Sequence, residues 1–157
     1  MERGWRIIGI GSPVAGDDLG WQAIDALREA GIGRHAELLT LDRPGPALLD
    51  HFEPDVHVIL IDAMDAGLPP GSIRDLTLDD LLFGALPPST HHLGLAESLA
   101  LARALDGLPR VLYVIGLQKG ERFQRPGAMF DELLQRVIDS VRSTMKDGDR
   151  AEPRGAE

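Results

Sequence analysis

Apolar residues follow two patterns along this chain, compact runs and runs with helical spacing. The runs at 6–10 and 56–62 contain almost no polar alternation, which predicts strands that are covered on both faces. Further strands are predicted at 36–41, 72–76 and 110–116. Apolar residues spaced by three and four positions predict helices at about 18–30, 93–105 and 129–145. Strands and helices therefore alternate through the chain.

This alternation predicts an α/β fold, in which a largely parallel sheet lies between two layers of helices. The short strand at 72–76 follows the preceding strand after a tight loop, so it can run antiparallel and make the sheet mixed. No repeat and no second domain is visible, and residues 1–145 are expected to form one domain. From Lys146 onward the residues are small and charged, which predicts a mobile tail over 146–157.

Two local patterns refine this expectation between the third and fifth strands. Thr77-Leu-Asp-Asp80 resembles a capping box with Asp in the place of Glu, and it predicts a short helix through Leu82. Residues 87–92 read Pro-Pro-Ser-Thr-His-His. Because the residue before a proline avoids the helical region, this segment is expected to be extended or turn-like.

Composition and charge exclude several classes of function. The 157 residues carry a net charge of −9, which argues against a nucleic-acid binder and against attachment to anionic lipid. The absence of cysteine excludes disulfides, thiolate metal sites and a cysteine nucleophile. No signal segment and no membrane-length apolar run is present, so a cytoplasmic protein is expected. The size of the chain favours a monomer.

The turn after the first strand carries the first candidate residues. Gly9 and Gly11 allow the chain to turn sharply, and Asp17 and Asp18 follow where a helix begins. The glycine spacing departs from the dinucleotide fingerprint, and two carboxylates would repel a phosphate, so no nucleotide is expected. One of the two aspartates can serve as the N-cap of the helix, which leaves the other unexplained.

Two further candidates lie at the ends of other elements. Asp62 ends the central strand at its carboxyl edge, where a carboxylate is costly unless it is paired, binds a cation or caps the following loop. His91 and His92 precede a predicted helix after the two prolines. Together with an aspartate of the turn they would form an oxygen and imidazole set that suits nickel, zinc, iron or manganese.

The chemistry of such a set favours hydrolysis by a metal-activated water. Three serines near the proposed site, Ser12, Ser89 and Ser98, lack the sequence context of an activated nucleophile. The remaining histidines, at 35, 51 and 57, have no comparable setting and are interpreted as surface or structurally satisfied positions.

Four motifs in order give the chain a resemblance to the nickel–iron hydrogenase maturation endopeptidases. They are the opening segment 8–18 (IGIGSPVAGDD), the central segment 59–67 (ILIDAMDAG) with Pro70 and Gly71, the segment 89–95 (STHHLGL), and 114–118 (VIGLQ). Together they cover about residues 5–118. A fitting C-terminal helix follows.

This resemblance implies a three-layer α/β/α sandwich around a mixed five-stranded sheet, of the phosphorylase/hydrolase-like type. It implies a metal-dependent, aspartic-type endopeptidase that removes a C-terminal extension from the hydrogenase large-subunit precursor after nickel insertion. The nickel is carried by the precursor and is recognised by an acid, an Asp and a His. Carried over to this chain, these are Asp18, Asp62 and His91, with Asp17 and His92 as the less favoured alternatives.

Two departures from the family pattern concern the site. One residue fewer separates the acidic pair from Gly20, so counting from Gly11 selects Asp18 whereas counting back from Gly20 selects Asp17. The family's Asp-Gly-Gly segment after the second strand is replaced here by residues 42–45, Asp-Arg-Pro-Gly. The rival functions are a metallopeptidase with another protein substrate, a homologue that binds nickel or precursor without cleaving it, and a nucleotide-binding domain.

Overall fold

A computed structural model describes residues 4–13, 18–43, 45–83, 90–120 and 127–151, without the side chains of 90–93 and 151. Five strands form one sheet: β1 Trp5–Gly11, β2 Ala36–Asp42, β3 His57–Met64, β4 Ile73–Leu76 and β5 Val111–Gln118. The helices are α1 Leu19–Glu29, α2 Leu78–Phe83, α3 Thr90–Ala104 and α4 Ala128–Ala151, with 3-10 turns at Ile32–Arg34 and Pro46–His51.

The order of strands in the sheet is β2-β1-β3-β5-β4. The pairs β1–β2, β1–β3 and β3–β5 are parallel, whereas β4 pairs with β5 in the antiparallel sense. The predicted fold class, an α/β sandwich around a mixed, mostly parallel five-stranded sheet, is confirmed. The short fourth strand is the antiparallel one, as its tight connection to β3 allowed.

Two apolar cores lie on opposite faces of this sheet because alternate residues of each strand point to opposite sides. On β3, Ile59 and Ile61 pack with α1 and α4, whereas Val58 and Leu60 pack with α2, α3 and the 3-10 turn at Pro46–His51. All eight residues of β3 are buried. This explains why its sequence shows almost no alternation.

The start of α3 differs from the sequence-based expectation. The residues 90–92, expected to be extended or turn-like, form the first turn of α3, which begins at Thr90 and not near Leu93. Proline restricts the residue before it, so Pro88 restricts position 87 and leaves Thr90 and the two histidines able to enter a helix. Residues 84–89 lie outside the described part of the chain.

The end of α4 also differs, because the helix continues past Met145 to Ala151. The indole N–H of Trp5 donates to the Asp149 carboxylate at 3.0 Å, and the Trp5 ring packs against Gly148 so closely that a Cβ there would lie 2.6 Å from its Cζ2. Residues 146–151, expected in the mobile tail, therefore belong to α4. Residues 152–157 lie outside the described residues.

The predicted capping box at the start of α2 is confirmed. The Thr77 backbone N–H donates to the Asp80 carboxylate at 3.0 Å, and the Asp80 N–H donates to the Thr77 hydroxyl at 3.0 Å. Hydrogen bonds to the Asp80 carboxylate, first from the Thr77 backbone N–H and then from the Thr77 side chain, lower the pKa of Asp80 below its ordinary value. Within the described residues, no helix combines the length and apolarity needed to cross a membrane.

Candidate active site

The connections of β1 and β3 open a crevice at their carboxyl ends. After β1 the chain returns through α1 on one face of the sheet, and between β3 and the parallel β5 it passes through α3 on the other face. Ligands of open α/β sheets bind where neighbouring strands connect in opposite directions in this way. In this sheet that point lies between the ends of β1 and β3.

Two glycines bring the first turn of α1 against this crevice. A Cβ on Gly20 would lie 2.7 Å from the Ile61 carbonyl oxygen and closer still to that of Ile10. A Cβ on Gly9 would lie 2.6 Å from Cγ1 of Ile24 and 2.9 Å from the Gly20 carbonyl carbon. Because any other residue would clash with backbone atoms, α1 rests directly on β1 and β3, next to Asp62.

Asp18 occupies the N-cap position of α1, with φ −98° and ψ 9°, and is half-buried. Its side chain makes no capping hydrogen bond to the helix. The carboxylate instead accepts a hydrogen bond from the Gln22 side chain at 3.3 Å. Capping therefore does not explain the carboxylate of Asp18. Asp17, its neighbour, lies outside the described residues.

Asp62 lies on β3, two residues before the end of the strand and opposite Gly116 of β5. Its side chain is 6% exposed. By the alternation of the strand, Asp62 points to the α3 face, as Leu60 does. A buried carboxylate thus lies at the carboxyl end of the central strand, one residue after Ile61, whose backbone carbonyl is close to Gly20 in the first turn of α1.

His91 and His92 reach the same edge of the sheet through the first turn of α3. This helix leads into β5, which is parallel to β3, so the helix begins at the carboxyl end of the sheet. The structure does not describe the two imidazoles. Among the side chains that it does describe, no three of His, Asp or Glu form a metal-binding group. Asp18, Asp62 and His91 therefore remain a predicted set, in which the backbones of all three lie at one edge.

The other polar candidates occupy different settings. The hydroxyl of Ser98 is buried and donates to the Gly94 carbonyl oxygen at 2.8 Å within α3. His57 begins β3 at the opposite edge of the sheet, where it is 1% exposed and packs edge-on against Trp5 with ring centroids 4.7 Å apart. His35 is exposed. Ser89 lies outside the described residues.

Gln118, the last residue of β5, also lies at this edge, although its sequence pattern did not lead to its selection as a candidate. Its side chain is almost fully buried and hydrogen-bonds the segment that follows β3. The available signal was its place as the polar end of an apolar strand in the motif Val114–Gln118.

The family model of hydrogenase maturation proteases, HycI, matches residues 38–145. The chain belongs to the hydrogenase maturation protease family. This confirms the resemblance drawn from the four motifs. The matched residues include Asp62, both candidate histidines and Gln118, whereas the turn that carries Asp18 precedes them.

Curated relatives of the family align with most of this chain. The hydrogenase expression/formation protein HupD of Thiocapsa roseopersicina is 28% identical over 144 residues, 89% of this chain and 65% of HupD. HupM of Azotobacter chroococcum is 30% identical over 119 residues, 73% of this chain and 57% of HupM. The chain thus spans less than two thirds of the length of these two relatives.

Solved structures of the family share the fold at low sequence identity. The hydrogenase maturating endopeptidase HybD from Escherichia coli superposes with a TM-score of 0.73 at 19% identity, covering 92% of this chain and 93% of HybD. The [NiFe] hydrogenase maturation protease HybD from Thermococcus kodakarensis gives 0.66 at 20% identity, covering 90% and 98%. The three-layer sandwich is therefore the common fold.

Proposed function

We propose that this protein is an endopeptidase that removes the C-terminal extension of a nickel–iron hydrogenase large-subunit precursor after nickel has been inserted. Membership of the maturation protease family supports the reaction class and the substrate class. The observation that carries the site assignment is the buried carboxylate of Asp62 at the carboxyl end of β3, beside the point where the connections of β1 and β3 diverge.

In this proposal the nickel belongs to the substrate and serves as the recognition element. Asp18 and Asp62 offer carboxylate oxygens, and His91 offers an imidazole nitrogen, which together suit a divalent transition metal with positions left open. Binding of the precursor's nickel by these residues would place the scissile bond in the crevice. When the reacting groups are held together in this way, a bimolecular step becomes effectively unimolecular, which accelerates the reaction.

The chain itself supplies positioning and charge in this reaction. The first turn of α1 rests on the backbone of Ile10 and Ile61, so the helix start that carries Asp18 lies close to the backbone of the strand that carries Asp62. The hydroxyl of Ser98 is engaged within α3, and the chain has no cysteine. Attack by water activated at the metal is therefore favoured over a covalent acyl-enzyme.

Substitution of His91 tests the proposal. His91→Ala should lower cleavage of the nickel-loaded precursor at least about 100-fold, because without this ligand the bound nickel no longer positions the scissile bond correctly. His35→Ala, at an exposed histidine away from the crevice, should cleave at the wild-type rate. Mass spectrometry of the precursor's C-terminus measures both.

Full activity of His91→Ala, with loss of activity in His92→Ala, would transfer the role to the neighbouring histidine. If the wild-type protein binds nickel-loaded precursor without shortening it, the non-catalytic alternative replaces the protease.

A further inference from the structure

We propose that Gln118 is a positioning residue of this site: its buried side-chain amide fixes the segment 65–72 next to Asp62. This inference rests on the proposed peptidase function for its effect on catalysis. Its structural part, the attachment of segment 65–72 to β5, is testable without any substrate.

Gln118 lies on the same face and at the same edge of the sheet as Asp62. In the β3–β5 register, Asp62 is opposite Gly116, and Met64 is opposite Gln118. Val114, Gly116 and Gln118 share one face of β5, and Val114 belongs to the core under α3, on the side to which Asp62 points. Gln118 therefore stands one alternate position beyond Asp62, toward the mouth of the crevice.

The side-chain amide of Gln118 makes four hydrogen bonds, three of them to the chain that leaves β3. Its oxygen accepts hydrogen bonds from the backbone N–H groups of Ala66 at 2.8 Å and Leu68 at 3.4 Å. Its nitrogen donates to the Asp65 carboxylate at 3.3 Å and to the Lys119 carbonyl oxygen at 3.0 Å. Because two donors lie on one side and two acceptors on the other, the amide has one favourable orientation.

Backbone hydrogen bonds close the same segment at both ends. The Lys119 N–H donates to Met64 O at 3.0 Å, and the Gln118 N–H donates to Ser72 O at 2.9 Å. The Gly71 N–H donates to Gln118 O at 3.1 Å, while the Arg136 guanidinium of α4 donates to Gly71 O, also at 3.1 Å. The side chain of Gln118 thus fills the interior of a loop whose ends are already attached to β5.

Packing alone does not account for an amide at this position. Gln118 is 3% exposed, and burying an amide costs free energy unless its hydrogen bonds are made within the protein. An apolar residue of similar size would fill the space without this requirement. What the amide adds is a defined path for residues 65–68, which begin three positions after Asp62.

Gln118→Met removes all four side-chain hydrogen bonds and keeps the length of the side chain. Hydrogen exchange should accelerate in segment 65–72 at least about tenfold, since its amides lose their acceptor. The kcat for nickel-loaded precursor should fall about 10–100-fold with KM nearly unchanged, because displacement of the crevice rim by about 1 Å misplaces the reacting groups. Gln135→Met, at an exposed glutamine of α4, is the matched control and should change neither quantity.

A second pair of variants distinguishes positioning from a general loss of stability. Gln118→Glu places a carboxylate against the Asp65 carboxylate and should also lower kcat. In the double variant with Asp65→Asn, the new side-chain amide at position 65 can donate a hydrogen bond to the carboxylate at position 118. The double variant should therefore recover at least about half of the loss in log kcat. A role in stability alone would change the melting temperature and leave kcat of the folded protein at the wild-type value.

The outcomes separate this inference from the proposed function. If the wild-type protein does not cleave the precursor, the proposed function fails, and exchange in 65–72 still decides whether Gln118 holds the segment. If the wild type cleaves and folded Gln118→Met cleaves with the same kcat, the positioning role is overturned. Unchanged exchange in Gln118→Met would overturn the structural part as well.

Discussion

Asp62 combines two properties at the scale of the residue, burial and a place at the mouth of a crevice. It is 6% exposed, and it follows five residues of β3 that are themselves buried. A carboxylate in such a place costs folding free energy, which a residue in a purely structural role need not impose. Carboxylates with this kind of environment are frequent at catalytic sites.

Replacement of this carboxylate by an amide tests its role in the reaction. Asp62→Asn should lower cleavage of nickel-loaded precursor at least about 100-fold, since a ligand and a charge are lost. The melting temperature of the variant, measured beside its activity, shows whether the loss of cleavage comes from the site or from unfolding. Asp55→Asn, at an exposed aspartate before the amino end of β3, is the control and should cleave normally.

The neighbouring aspartates of the first turn allow a second prediction. The side chain of Asp18 makes no capping hydrogen bond, so Asp18→Asn should change the free energy of unfolding by no more than about 0.5 kcal/mol. It should nevertheless lower the cleavage rate, whereas Asp17→Asn should leave it near the wild-type value. Urea unfolding and the cleavage assay measure the two effects. The opposite pattern of cleavage would assign the ligand to Asp17.

Residue types and motif order were sufficient to make Asp62 a candidate, because an acid near the end of a buried strand is conspicuous in any sequence. The role of Gln118 was not predictable in the same way. Its partners at Asp65, Ala66 and Leu68 are about 50 residues away along the chain. Such contacts follow from strand register, which a single sequence does not specify.

Among the elements, the close packing of α1 against β1 and β3 requires the absence of a side chain at Gly20. Gly20→Ala would bring a Cβ into the backbone of Ile10 and Ile61, and it should destabilise the protein by roughly 1–3 kcal/mol. Gly33→Ala is the matched control, because the nearest atom there, Leu38 Cδ1, would lie 3.6 Å from the new Cβ. Equal unfolding midpoints in urea for the two variants would contradict the close packing of α1 against the strand backbones at Gly20.

The capping box of α2 gives a prediction with a defined dependence on pH. Thr77→Ala removes the hydroxyl acceptor at the helix start and should destabilise the protein by about 1 kcal/mol. Asp80 acts through its carboxylate, whose pKa is lowered from 3.8 in the folded protein. Its stabilising effect is present above that ordinary value and is lost as the pH falls through the lower folded-state pKa.

The comparison of wild type with Asp80→Asn measures this dependence. The difference in unfolding free energy should be constant at neutral pH and disappear in acid, below the ordinary carboxyl range. A difference that persists unchanged in acid would show that the charge of Asp80 is not responsible.

The boundaries of elements were harder to predict than their existence. All five strands lie close to their predicted positions. For β1 and β3 the reason is burial on both faces, which demands compact apolar runs. The extension of α4 to Ala151 depends instead on Trp5, which lies 144 residues earlier and bonds Asp149. The start of α3 at Thr90 was not predicted, because the extended conformation that a proline imposes on the residue before it was also assigned to residues 89–92.

At the scale of the whole molecule, the topology brings separate stretches of sequence to one edge. The strand order β2-β1-β3-β5-β4 places the ends of β1, β3 and β5 side by side. The first turns of α1 and α3 reach that edge from opposite faces. The backbones of residues 18, 62, 91 and 118, which are far apart in sequence, therefore lie at one edge of the sheet.

In the proposed reaction, nickel in the precursor controls cleavage. The most direct measurement mixes the protein with a hydrogenase large-subunit precursor prepared with and without nickel, and follows the precursor's C-terminus by mass spectrometry. We expect loss of a short C-terminal peptide from the nickel-loaded precursor alone. Cleavage of both forms at the same rate would contradict a nickel-controlled reaction, and cleavage of neither would contradict the peptidase function itself.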